Sequence, residues 1–270
     1  MSLGYTPPVP RLRLPARRAS AWVLAPWADA ATGETSAHRR GRRGLILDLD
    51  DTLYPRERFV RSGFAAVASY VEKTHGVAAE LAYGVLVRAS QSAQQGQELE
   101  ALCDRFRLSR ELAPTLLDTY RRHVPTIQLN HDVTATLQAL RASGWLLAVL
   151  TNGLPSVQFR KVAALGLTDL VDDVIYAEEH VAGGKPAAAA FRAALKSLHL
   201  APMQCIAVGD DLVRDVHGAR AIGLRTIRLA RPGVAVAAGE DADIVIDNFA
   251  LLPESAGMLL DVDEATADVA

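Results

Sequence analysis

The sequence is short of cysteine, short of aromatic residues and free of long apolar runs. Only two cysteines occur in 270 residues, Cys103 and Cys205, far apart and without metal-type spacing. That excludes a disulfide framework and a cysteine zinc site, and it fits a reducing compartment or indifference to redox state; a cytoplasmic protein is expected. No stretch approaches the roughly 20 apolar residues of a membrane span, so no membrane partner is expected. Aromatic residues make up 6%. Positive charge is scarce in most of the chain. Residues 1–43 hold eight arginines against Asp29 and Glu34, a net +6, which leaves −8 on the remainder of a chain whose total is −2. An acidic body argues against nonspecific nucleic-acid binding.

What is present is ordinary for a globular protein: 50% hydrophobic and 22% charged residues. Residues 1–43 lack apolar periodicity and carry Pro7, Pro8, Pro10, Pro15 and Pro26, so they read as a basic, mostly disordered arm. Arg17-Arg18 ahead of Ala21–Ala31 faintly resembles a twin-arginine signal, and the arginine-rich, acid-poor start faintly resembles a transit peptide. Pro26 and Asp29 interrupt the apolar part and no small-residue cleavage site comes after it.

The most informative stretch is Gly44-Leu45-Ile46-Leu47-Asp48-Leu49-Asp50-Asp51-Thr52-Leu53-Tyr54. Its apolar run predicts a strand buried on both faces, and Asp48 and Asp50 project to the same side because side chains alternate. Two adjacent carboxylates repel and resist desolvation unless a hard cation lies between them. The alternative at this point is an acidic turn that caps the next segment of the chain.

After Pro55, residues 56–124 read as a string of helices with no strand signal, in which Phe59, Phe64, Val67, Tyr70 and Val71 keep helical spacing. Arg58, Arg61 and Arg88 of this insert are expected on solvated helix faces. Beyond it, strands and helices alternate. Strands are expected at residues 145–150, 171–177, 203–208 and 225–229, with an edge strand at 244–246. The fold class is therefore α/β, a doubly wound parallel sheet over residues 44–55 and 125–250. Residues 56–124 form a separate, inserted helical subdomain, and 251–270 a C-terminal helix or frayed tail.

Polar clusters stand at four strand ends or helix starts: Asp48/Asp50, Thr151-Asn152-Gly153, Lys185, and Asp210/Asp211/Asp215. Parallel strands bring their carboxyl ends to one edge, so these clusters can meet. Together they suit phosphoryl transfer. Asp48 can attack phosphorus, Asp50 can protonate the leaving oxygen and then activate water, and Thr151, the Asn152–Gly153 region and Lys185 can hold phosphoryl oxygens. Asp210 supplies a second carboxylate for the cation. His75, His123, His180 and His217 fit no motif and are expected to be structural or on the surface.

In order and spacing, Asp48-x-Asp50-Asp51-Thr52, Thr151-Asn152-Gly153, Lys185-Pro186 and Gly209-Asp210-Asp211-x-x-x-Asp215 resemble the haloacid dehalogenase-like (HAD) hydrolase superfamily over residues 44–247. The insert resembles the α-helical cap of its first subclass. The resemblance implies Asp48 as nucleophile and Asp50 as general acid/base. It also implies Mg²⁺ held by Asp48, the Asp50 backbone carbonyl and Asp210, with Asp211 and Asp215 in the outer shell. The expected activity is a Mg²⁺-dependent phosphatase acting on a small phosphorylated metabolite: a nucleotide, a sugar phosphate or phosphoglycolate. A sugar phosphomutase is the alternative. A 2-haloacid dehalogenase fits less well, because those enzymes lack the second acid, and a noncatalytic scaffold is disfavoured by the full motif set. A monomer or homodimer is expected.

Overall fold

A parallel six-stranded sheet in the order β3-β2-β1-β4-β5-β6 forms the centre of the molecule, seen in a computed structural model that describes residues 41–230 and 242–267, with side chains through residue 260. The strands are β1 (Gly44–Leu47), β2 (Leu146–Thr151), β3 (Asp173–Tyr176), β4 (Cys205–Gly209), β5 (Arg225–Leu229) and β6 (Ile244–Ile246). The basic arm expected over residues 1–43 falls, up to residue 40, outside the described residues.

The apolar run of β1 is explained by its central position. It pairs with β2 and β4 in parallel register, Leu45 opposite Leu147 on one side and Ile206 on the other. Leu45 and Leu47 face a core shared with α5 (His131–Ala142), α6 (Pro155–Ala164) and α8 (Leu252–Ala267). Ile46 faces the opposite layer, built with Ala190, Phe191, Ala194, Leu195 and Leu198 of α7 (Ala188–Leu198). Both faces are thus covered, so every residue of the strand gains by being apolar, each fully buried large side chain contributing roughly 1.5–3 kcal/mol.

Between β1 and β2 the chain forms α1 (Arg56–His75), α2 (Ala79–Ser90), α3 (Glu98–Phe106) and α4 (Ala113–Arg122), with no strand among them. These helices have a hydrophobic core of their own, centred on Phe64, Val67, Val71, Leu86, Leu102 and Leu116. Cys103 lies within it and Cys205 within the core under α7, both as free, buried thiols. His123 is also buried. Its Nε2 lies 3.1 Å from Ser62 Oγ and its Nδ1 2.6 Å from the Tyr120 carbonyl. It joins the end of α4 to α1, and burial lowers its pKa. No helix among the described residues is long and apolar enough to cross a membrane.

The boundaries shift slightly from expectation. β2 and β4 each run one residue further than expected, to Thr151 and Gly209, while residues expected to open β4 form a short 3₁₀ turn, Pro202–Gln204. After β4 comes a π-helical turn, Leu212–His217, running into one α-helical turn, Gly218–Arg220.

Candidate active site

The carboxyl ends of β1, β2 and β4 open onto a pocket of about 640 Å³. Every residue of the four polar clusters lines it: Asp48, Asp50, Thr151, Asn152, Gly153, Lys185, Asp210, Asp211 and Asp215. Arg58, Arg61 and Arg88 do not; Arg58 donates to the Gln128 carbonyl and Arg61 is paired with Glu57.

Asp48 leaves β1 with its N–H still bonded to the Val208 carbonyl at 2.8 Å, so the sheet itself fixes its backbone. Its carboxylate takes Lys185 Nζ on Oδ1 at 2.5 Å and the Thr52 hydroxyl on Oδ2 at 3.0 Å. Lys185 is 3% exposed and reaches across to Asp215 Oδ1 at 2.7 Å. Burial raises the pKa of Asp48, with Lys185 opposing and Asp215 adding to the rise. The same two acids hold the Lys185 ammonium above its ordinary pKa despite the burial that opposes it.

Asp48, Asp210 and Asp215 each offer a carboxylate oxygen, all within 4.8 Å of one another. Lys185 contacts two of the three. Three carboxylates with one ammonium leave an excess of negative charge in a largely buried place, and an all-oxygen donor set suits a hard divalent cation. The residues therefore fit Mg²⁺. Asp215 belongs to this cluster, whereas Asp211, expected beside it, turns away. Its side chain accepts the N–H groups of Val213 and Arg214 and caps the π-helical turn. Asp215 approaches β4 so closely that a Cβ at Gly209 would overlap its carboxylate.

Asp50 has separate surroundings. Lys161 Nζ bridges its two oxygens at 2.8 and 2.7 Å, the Tyr54 hydroxyl donates at 2.6 Å and Gln158 Nε2 at 3.2 Å. Burial works to raise its pKa, but Lys161 and these hydrogen bonds prevail and leave it lowered. Its carboxylate is therefore no part of the three-acid cluster. Between the two acids and α1 the chain turns sharply back: Asp51 adopts φ 63°, its N–H bonds to the Tyr54 carbonyl, and its side chain accepts the Arg56 N–H that opens α1.

Thr151 ends β2, and its hydroxyl oxygen accepts from Gln158 Nε2 at 2.9 Å. The Asn152 amide is engaged with the Lys185 backbone, donating to its carbonyl at 2.9 Å and accepting its N–H at 2.8 Å. It braces the lysine. The Gly153 N–H is bonded to Glu178 Oε1.

Lys161 and Gln158 are site residues that motif reading passed over. Both are buried polar side chains, three residues apart on α6. The available signal is their place on the helix face that also carries Val162 and Leu165, where a lysine and a glutamine need buried partners.

Comparison with known proteins gives the family. The family model for haloacid dehalogenase-like hydrolases matches residues 43–223. A glyceraldehyde 3-phosphate phosphatase of Methanocaldococcus jannaschii is 29% identical over 195 residues, 70% of this chain and 85% of that protein. A ribulose-1,5-bisphosphate 5-phosphatase of Halopiger xanaduensis is 32% identical over 221 residues, 74% and 89% of the two chains. Among solved structures, a 2-haloacid dehalogenase of Pseudomonas syringae superposes with a TM-score of 0.58 at 26% identity, over 80% of this chain and 98% of that one.

Proposed function

Since the chain belongs to the haloacid dehalogenase-like hydrolases, we propose that it is a phosphatase that removes the phosphoryl group of a small phosphorylated metabolite through an aspartyl-phosphate on Asp48. The observation that carries this reading is the division between the two acids. Asp48 lies with Asp210, Asp215 and Lys185, while Asp50 lies apart with Lys161.

The roles follow from that division. A carboxylate oxygen of Asp48 forms a bond to phosphorus as the ester oxygen leaves, and Asp50 gives the leaving oxygen its proton. Asp50 then takes a proton from water, the water oxygen attacks phosphorus, and the bond to Asp48 breaks to release inorganic phosphate. The lowered pKa of Asp50 keeps it ionised, the form that can take a proton in the second step. For the first step, the negative charge of an arriving phosphate ester raises the pKa of a neighbouring carboxylate and favours its protonated form. Lys185 and the Thr151 hydroxyl hold phosphoryl oxygens, and Asn152 keeps the lysine backbone in place. Mg²⁺ held by Asp48, the Asp50 carbonyl and Asp210 would offset the repulsion between carboxylate and phosphate. The four helices of residues 56–124 act as a cap that closes the pocket over the substrate.

Dehalogenation is the weaker fit. A halide departs without a proton, which gives Asp50 and its dedicated lysine nothing to do. The direct test is phosphate release from a panel of sugar phosphates, nucleotides and phosphoglycolate with Mg²⁺ present. Release that stops on chelation of the metal is expected; metal-independent release would remove the three-acid site from the reaction.

A further inference from the structure

The two sides of the pocket differ in chemistry. The strand-end side carries the carboxylates with Lys185, Lys161 and Arg214, the last 4.0 Å from Asp211. The side built by the helical insertion contributes Arg56, Phe59, Tyr120 and Arg121, and no acid. Arg56 is the first residue of α1 and Arg121 lies in the last turn of α4. Both are exposed.

Among the described residues, these two are the arginines of the insertion that line the pocket, and several others are engaged elsewhere. Arg58 is bonded to the Gln128 carbonyl, and Arg61, Arg110 and Arg122 are paired with Glu57, Asp104 and Asp118. Arg56 and Arg121 have no acidic partner among the described residues. The Tyr120 hydroxyl, on the same side, likewise makes no hydrogen bond among them. Burial pushes that phenol up to about 12, against the opposing influence of Arg56, so it stays a donor at neutral pH. The ring is fixed edge-on against Phe59 at 5.8 Å, and it passes so close to Gly63 of α1 that a Cβ there would overlap it.

Two guanidinium groups and a phenolic O–H therefore line one side of the pocket with uncommitted donors. The guanidinium fork matches the oxygens of a carboxylate or phosphate. The transferred phosphoryl group already has Lys185 and Thr151 on the opposite side, under the phosphatase reading on which this step rests. A pocket of about 640 Å³ holds a small metabolite with room for both ends.

We propose that the substrate is a small phosphomonoester bearing a second anionic group, a carboxylate or a further phosphate, and that Arg56, Arg121 and Tyr120 bind that group. A neutral tail leaves the three donors without a partner.

The test compares kcat/KM for matched phosphate esters in the full chain with Mg²⁺. 2-Phosphoglycolate carries a carboxylate tail, ribulose 1,5-bisphosphate a second phosphate, and ethyl phosphate and glyceraldehyde 3-phosphate neutral tails. At least one of the anion-tailed esters is expected to exceed both neutral ones by about tenfold or more, and whichever does so tells carboxylate from phosphate. Arg56→Ala and Arg121→Ala should each cost the anion-tailed substrate about tenfold more than the neutral ones, with Arg56→Lys recovering part of the loss. Equal losses on both kinds of ester would place the arginines on the transferred phosphoryl group and overturn the proposal. A binding arm separates this from failure of the phosphatase reading. Calorimetric titration of the Asp48→Asn protein with 2-phosphoglycolate, ribulose 1,5-bisphosphate and ethyl phosphate needs no turnover. Tighter binding of an anion-tailed ester that is lost in the Asp48→Asn, Arg56→Ala double variant upholds the subsite even if no ester is hydrolysed. Indistinguishable binding, or none, overturns it.

Discussion

The two sides of the pocket are built on different principles. On the strand-end side the acids are tied to buried lysines: Asp48 and Asp215 share Lys185, and Asp50 has Lys161, Tyr54 and Gln158. On the helical side the fold is held by an apolar core of its own, and the side chains of Arg56, Arg121 and Tyr120 that reach the pocket have no hydrogen-bond or ion-pair partner among the described residues. Under the proposed function the strand ends would carry the reaction and the helices the choice of ligand. Buried, mutually dependent charges are sensitive to any single loss, whereas exposed arginines are energetically almost independent of the fold.

Replacing Lys185 breaks the contrast most severely. Lys185→Met strips two buried carboxylates of their common cation, so a loss of about 3–5 kcal/mol in metal-free unfolding free energy is expected, together with loss of activity. A variant that denatures with wild-type urea dependence would show that the strand-end charges do not depend on one another.

Lys161→Met should cost less, about 1–3 kcal/mol, because Asp50 keeps the hydrogen bonds of Tyr54 and Gln158. The pH dependence gives the sharper readout. The pKa of Asp50 is lowered in the folded protein, so its contribution to stability is present above the ordinary carboxylate pKa and fades as pH falls through the lowered value. Without Lys161 that contribution shrinks, and acid unfolding should begin at higher pH than in wild type. An unchanged acid limb would mean that Lys161 does not hold Asp50 ionised. The arginine exchanges belong at the small end: Arg56→Ala and Arg121→Ala should leave Tm unmoved while changing substrate preference, so a substantial fall in Tm would erase the distinction between the two sides.

The same contrast explains what could be read from the sequence. The β1 run, buried on both faces, and the polar residues at the ends of β1, β2 and β4 belong to short segments whose direction is set by the sheet, so Asp48, Thr151, Lys185 and Asp210 could be brought together from their order alone. Asp211 and Asp215 could not be told apart, because a π-helical turn decides which of them caps and which points inward. Lys161 and Gln158 stayed hidden because their partners are set by how α6 packs on the sheet. The helical insert was legible only as helices. Which arginines reach the pocket depends on the rotation and crossing of α1 and α4, and the turn from Asp51 to Arg56 places Arg56 there and leaves Arg58 and Arg61 outside.

The central claim is that Asp48 carries the phosphoryl group. It is tested most directly by quenching the enzyme in acid during turnover and weighing the peptide that contains Asp48. The mass of one added phosphoryl group on that peptide is predicted, absent from Asp48→Asn, which should also have no turnover. A phosphoryl group on any other residue, or turnover that survives in Asp48→Asn, would contradict it.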